Sequence, residues 1–174
     1  MKISIYIAIS ANGFISNSRN VPDWLSPEYG QGMYAISQKF KAVIMGKTTY
    51  NILAPGHLPL KGAGTTVVLT SDKTSLPEDT TLIFTKESPF EIKQMLEARG
   101  HSEAVIIGGT MTISQFINAR LADDVYFIME PVLFDTGLPL LKDSLGDLKL
   151  NLLEISKLND NTVQLHYHIE YPKN

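Results

Sequence analysis

With 174 residues, 44% hydrophobic and 19% charged, the chain has the size and balance of one folded domain rather than of a disordered segment. A net charge of -3 leaves no basic footprint for nucleic acid, and the lack of cysteine excludes disulfides, thiolate metal sites and cysteine nucleophiles. No apolar stretch approaches the ~20 residues that span a bilayer, and the opening Met1-Lys2-Ile3-Ser4-Ile5-Tyr6 lacks the long apolar core of a secretory signal, so a cytoplasmic protein without a membrane partner is expected.

In chain order, β-branched apolar runs alternate with helical patterns. Residues 3–9 read as a first strand, and residues 41–45, 66–70, 81–85 and 104–107 as further short strands. Helical spacing covers Pro27 to Phe40, residues 89–99 and residues 111–119. Ser88 before Pro89 is a helix start, and Gly100 a helix stop. Strands that alternate with crossover helices predict a mostly parallel sheet covered by helices on both faces. The last third differs: residues 124–133 predict a long strand, and residues 149–158 and 163–171 two more. Asn159-Asp160-Asn161 is the turn of a C-terminal antiparallel hairpin. The expected fold is one mixed-sheet α/β domain over residues 1–174.

Two strands run directly into glycine and then into a helix. The first is Val43-Ile44-Met45-Gly46-Lys47-Thr48-Thr49-Tyr50, the second Val105-Ile106-Ile107-Gly108-Gly109-Thr110-Met111. Bare backbone at a strand's carboxyl end, facing the positive end of the next helix, suits an anion. Either glycine alone more often just makes a turn; two in neighbouring strands predict one cleft, to which Lys47 adds a charge and Thr48, Thr49 and Thr110 hydroxyls. A Walker loop fails because Lys41 stands where its first glycine belongs, and Ala11-Asn12-Gly13-Phe14-Ile15 is no Rossmann fingerprint.

Met45-Gly46-Lys47-Thr48-Thr49-Tyr50 resembles the dihydrofolate-reductase signature Met-Gly-Arg-x-Thr-Trp, and Ile107-Gly108-Gly109-Thr110-Met111 that family's Ile-Gly-Gly segment. Residues 8–15 resemble its first strand and the loop over the nicotinamide, while residues 131–140 are more similar to the riboflavin-biosynthesis reductase branch. The resemblance implies a stand-alone reductase domain of dihydrofolate-reductase-like fold with NADPH as cofactor. It implies that Ala8 and Ile9 touch the nicotinamide and that Gly13 and Phe14 fold over it. Lys47 would meet the adenosine 2′-phosphate with Thr70 and Ser71, and Thr48, Thr49 and the turns at Gly46 and at Ile107, Gly108, Gly109, Thr110 and Met111 would hold the pyrophosphate. The implied activity is hydride transfer to a small heterocycle of pyrimidinone or pterin type; the alternative is an NADPH-binding module without catalysis. The branch also implies a homodimer, for which the apolar residues 131–141 are the candidate surface.

Dihydrofolate reductases carry a pterin-binding acid where this chain has Gly30, counting back from Gly46. Glu28 and Asp23 nearby are the candidate catalytic carboxylates, with Glu28 nearer the family position, and Trp24 is a candidate pocket wall. No metal site is expected: His166 and His168 share a strand face without a third ligand, and His57 and His101 have no assigned role.

Overall fold

Alternation along the first strand decides the architecture. The computed structural model describes residues 1–172 apart from positions 55, 59, 61, 72–80 and 144–145. In β1 (Lys2–Ser10), Ile3, Ile5 and Ile7 point into one apolar layer, and Tyr6 and Ala8 into another. The same period-two split recurs in β3 (Ala42–Gly46) and β6 (Glu103–Ile106), so the sheet centre is buried on both faces.

On one face lie α1 (Pro27–Phe40) and α2 (Lys47–Leu53); on the other lie α3 (Pro89–Ala98) and α4 (Thr110–Asn118). With β2 (Phe14–Asn17), β4 (Thr65–Leu69), β5 (Leu82–Thr85), β7 (Asp124–Glu130), β8 (Gly137–Pro139), β9 (Lys149–Lys157) and β10 (Val163–Glu170), the eight-stranded order is β5-β4-β3-β6-β1-β7-β10-β9. All pairings from β5 to β7 are parallel, and β10 and β9 add antiparallel, as expected. No helix among the described residues is long and apolar enough to cross a membrane.

Helix ends follow their local chemistry. Ser26 caps α1, its Oγ accepting the Tyr29 N–H at 3.2 Å, and Pro27 opens the first turn. Ser88 and Glu91 form a capping box on α3. The first helix ends because Lys41 turns left-handed at φ 58°, which removes it from the strand the sequence predicts there. Strand β7 stops at Glu130, short of the expected residue 133: Val132 N–H turns back to the Glu130 carbonyl at 2.8 Å, after Pro131, which has no N–H to donate. The chain then returns as β8, an unexpected strand that pairs with β2 in a separate ribbon. Gly137 is required there, since a Cβ would overlap the Ser16 carbonyl oxygen.

The C-terminal hairpin turns where expected, Asn159 Oδ1 accepting the N–H groups of Asn161 and Thr162, each at 2.8 Å. His166 and His168 both turn to buried Asp124, at 2.8 and 3.0 Å, and Lys2 completes that cluster at 2.6 Å. Burial opposes ionisation of Asp124, but Lys2 and the two histidines outweigh it and hold the carboxyl below its ordinary range. His101 meets Thr65 Oγ1 at 2.9 Å.

Candidate functional site

At the carboxyl ends of the parallel strands a cleft of about 1090 Å³ opens between α1, the first turns of α2 and α4, and the β2–β8 ribbon. Its floor is the pair of glycine turns. Gly46 N–H donates to the Gly108 carbonyl at 2.9 Å, so the ends of β3 and β6 are joined directly. A Cβ on Gly46 would come within 2.8 Å of Thr112 Oγ1, and one on Gly108 within 3.2 Å of Thr49 Oγ1. Gly108 holds φ +128°, a conformation that glycine alone adopts readily, and the Gly108–Gly109 peptide is cis.

Capping separates these helices from the other two. α1 and α3 begin at serines that cap them, whereas α2 and α4 begin at Gly46 and Gly109 with no side-chain cap. Their first-turn amides thus face the cleft without a side-chain acceptor, as an anion site requires. Lys47, Lys86 and Lys142 line the same cleft, against one carboxylate on its wall among the described residues, Glu87. Lys47 Nζ lies 5.0 Å from the Tyr50 ring centroid and 4.8 Å from that of Phe84, which restrains it at the cleft edge. The donors, glycines and cations at this end suit a ligand that carries several negative charges.

Ala8, Gly46, Lys47, Thr48, Thr49, Thr70, Ser71, Ile107, Gly108, Gly109, Thr110 and Met111 all come together on the wall. Ile9 does not: one step along a strand reverses the side chain, and Ile9 packs against the α3–α4 layer. Gly13 turns back to the Ser10 carbonyl at 2.9 Å, and Phe14 starts β2, so Ile15 and Ser16 take the wall instead. Glu28 and Asp23 lie off the wall. Glu28 Oε2 accepts from Asn159 Nδ2 at 2.9 Å, and Asp23 pairs with Arg19 at 2.8 Å. Gly30 faces the cleft with open space where a side chain would be.

The other half of the cleft is apolar and aromatic. Trp24 stands edge-on to Phe134 at 5.1 Å and joins Leu25, Met33, Ile52 and Leu53 on the wall. Polar groups there are Ser16, Asn20, Ser26, Tyr29, and Tyr34 with His57, whose Nδ1 is 3.2 Å from the Tyr34 hydroxyl. His57 thus reaches the site although its loop-like sequence pointed to no role. Behind the wall is Glu130, 1% exposed. It accepts from Ser26 N–H at 3.0 Å, Ser26 Oγ at 2.7 Å and Thr162 Oγ1 at 3.0 Å, tying the start of α1 to β7 and the final hairpin. The ribbon is tied in too, because Thr110 Oγ1 donates to the Pro139 carbonyl at 2.6 Å.

Residues 1–164 match the family model of the RibD C-terminal domain. The chain is 29% identical over 172 residues to YwjB, an uncharacterized protein of Bacillus subtilis (strain 168), covering 95% of this chain and 97% of that one. Its fold is that of a protein from Shewanella sp. PV-4 assigned to riboflavin biosynthesis, at TM-score 0.84 and 24% identity over 98% of this chain and 100% of the other. It is also that of a diaminohydroxyphosphoribosylaminopyrimidine deaminase/5-amino-6-(5-phosphoribosylamino)uracil reductase from Thermotoga maritima, at TM-score 0.78 and 17% identity, covering 96% of this chain and 56% of the other.

Proposed function

Since the chain belongs to the RibD C-terminal domain family and shares its fold with a deaminase/5-amino-6-(5-phosphoribosylamino)uracil reductase, we infer that it is an NADPH-dependent reductase of a small heterocycle. The observation that carries this reading is the joined pair of uncapped glycine turns inside one lysine-lined cleft. Gly46, Gly108, Gly109 and the first-turn amides of α2 and α4 would hold the pyrophosphate, with Thr48, Thr49, Thr110 and Lys142 around it. Lys47, Lys86, Thr70 and Ser71 would meet the adenosine end and its 2′-phosphate. Ala8 and Ile107 would back the nicotinamide, which supplies a hydride when bound. The apolar half formed by Trp24, Leu25 and Met33 would stack the substrate ring and exclude water.

Titration with NADPH, followed by fluorescence of Trp24, tests the cofactor. A charge-assisted hydrogen bond is worth about 1.5–3 kcal/mol, so NADPH should bind about ten- to a hundredfold more tightly than NADH. Lys47→Ala should remove most of that preference and leave NADH affinity nearly unchanged; equal affinities in the parent would exclude the 2′-phosphate assignment. Turnover is tested with 5-amino-6-(5-phosphoribosylamino)uracil, dihydrofolate and a simple cyclic imine. NADPH binding without turnover of any of them would favour a binding module, a reading supported by the absence of a carboxylate from the substrate half among the described residues.

We also propose a homodimer, with a changed surface, in the cytoplasm of a cell. Of residues 131–141, Leu133 is 73% exposed, but Leu140 and Leu141 pack on the core. The longer apolar strip is on edge strand β9, where Leu150, Leu152, Leu153 and Ile155 are all exposed, Ile155 by 62%. Light scattering should give twice the chain mass, and Ile155→Glu should give a monomer with parental NADPH affinity. A monomeric parent at micromolar concentration would refute the dimer.

A further inference from the structure

The substrate half of the cleft has no carboxylate on its wall among the described residues, yet reduction of a C=N or C=O bond needs a proton donor. Helix α1 presents Ser26, Tyr29, Gly30 and Met33 to that half, positions that fall on one helical face. Ser26 Oγ has its proton committed to Glu130, and Ser16 Oγ donates within its own loop, to the Asn17 carbonyl or Asn20. Tyr34 and His57 pair at the exposed mouth. Tyr29 remains, 8% exposed, on the inner wall.

Three contacts fix Tyr29. Its ring stacks on Tyr6 at 5.4 Å and 20°, its N–H donates to Ser26 Oγ, and its carbonyl accepts from the Tyr6 hydroxyl at 3.2 Å. Gly32 makes the last contact possible, since a Cβ there would overlap the Tyr6 hydroxyl. The backbone of Ala8, the strand residue assigned to the nicotinamide, acts on the phenol electrostatically. No protein acceptor for the Tyr29 phenol proton is present among the described residues.

Resting on the reductase reading above, we propose that Tyr29 delivers the proton that completes reduction, in an inner subsite that takes an uncharged heterocyclic C=N or C=O group. When the substrate carbon gains a hydride, the π pair of that bond moves onto nitrogen or oxygen. The Tyr29 O–H bond breaks toward that atom, and the phenolate recovers a proton from water at the cleft mouth, the hydroxide left behind passing to bulk solvent. The hydride and its electron pair come from the C–H bond broken in reduced nicotinamide. Burial pushes the phenol above its ordinary range, helped by the Glu130 carboxylate and opposed by the Ala8 backbone, so Tyr29 stays protonated until a strongly basic atom forms beside it. Tyr6 and Glu130 are the titratable groups packed around it.

Tyr29→Phe keeps the ring and its stack and deletes only the hydroxyl. Tested on the same three probes, it should lower kcat at least about a hundredfold, within the range expected of a positioned acid. Its NADPH affinity should stay within twofold of the parent and its melting temperature within a few degrees. The cofactor-free variant should bind the reduced-best probe about two- to tenfold more weakly by Trp24 fluorescence, as loss of one hydrogen bond predicts. Turnover within threefold of the parent would overturn the role of Tyr29 while leaving the reductase reading intact. A parent that binds NADPH but reduces no probe would reject both the reductase and the proton donor, and a parent that fails to bind NADPH would remove the cofactor reading itself.

Discussion

Glu130→Ala is expected to destabilise the protein by about 3 kcal/mol, because each buried donor left without an acceptor costs about 1–3 kcal/mol. Three donors lose their partner at once: the Ser26 N–H, the Ser26 hydroxyl and the Thr162 hydroxyl. Water entering the vacated space would satisfy some of them, which keeps the estimate below the simple sum. For a chain of this size each kcal/mol moves Tm by about 2–4 °C, so thermal unfolding should fall by roughly 6–12 °C. Glu130→Gln retains one acceptor oxygen and the volume, and should lose about half as much. Because Ser26 also caps α1, the alanine variant should weaken binding on the substrate side more than on the phosphate side. A melting temperature within one degree of the parent would show that the carboxyl does not hold the helix.

Gly108→Ala is expected to weaken NADPH binding by at least about a hundredfold, equivalent to about 2.7 kcal/mol. At φ +128° an alanine is strained, and such a backbone costs about 1–3 kcal/mol for a residue with a side chain. The added methyl would lie 3.2 Å from Thr49 Oγ1 and 3.7 Å from Ile7 Cδ1, both on structure that frames the cleft. Relief requires rotating the turn, which moves the Gly108 carbonyl away from the Gly46 N–H and opens the floor. Gly100→Ala is the matched control. Gly100 also holds positive φ, +83°, with nothing near its Cβ, and lies off the cleft wall. It should lose stability while binding NADPH normally. Equal binding by the Gly108 variant and the parent would mean that this turn does not approach the cofactor.

What the sequence made legible was local. Gly46-Lys47 and Gly108-Gly109 announce themselves because strand, glycine and helix are consecutive, and the same adjacency exposes the Ser88–Pro89 helix start. The expected sheet, parallel with an antiparallel end, follows from the alternation of strands with helices and from the Asn159-Asp160-Asn161 turn. Long-range partners left no such trace. Glu130 meets Ser26 across 104 positions, and β8 meets β2 across more than a hundred, so neither was visible in a window of neighbours. Ile9 and Glu28 show the opposite difficulty, resolution of a single step. One residue along a strand reverses the face, and one along a helix turns it by about 100°. Ala8 therefore lines the cleft while Ile9 packs behind it, and Tyr29 lines it while Glu28 bonds to Asn159.

The hydrogen bond between Gly46 and Gly108 has a thermodynamic side. A loop that must order itself around a ligand gives up conformational entropy at the moment of association, and that loss is subtracted from affinity. Here each glycine turn is held by the other before anything arrives, so the ordering is complete once the chain has folded. Binding at this end should then proceed with little backbone rearrangement, and isotherms for phosphate-bearing ligands should show little of the unfavourable entropy that accompanies coupled folding.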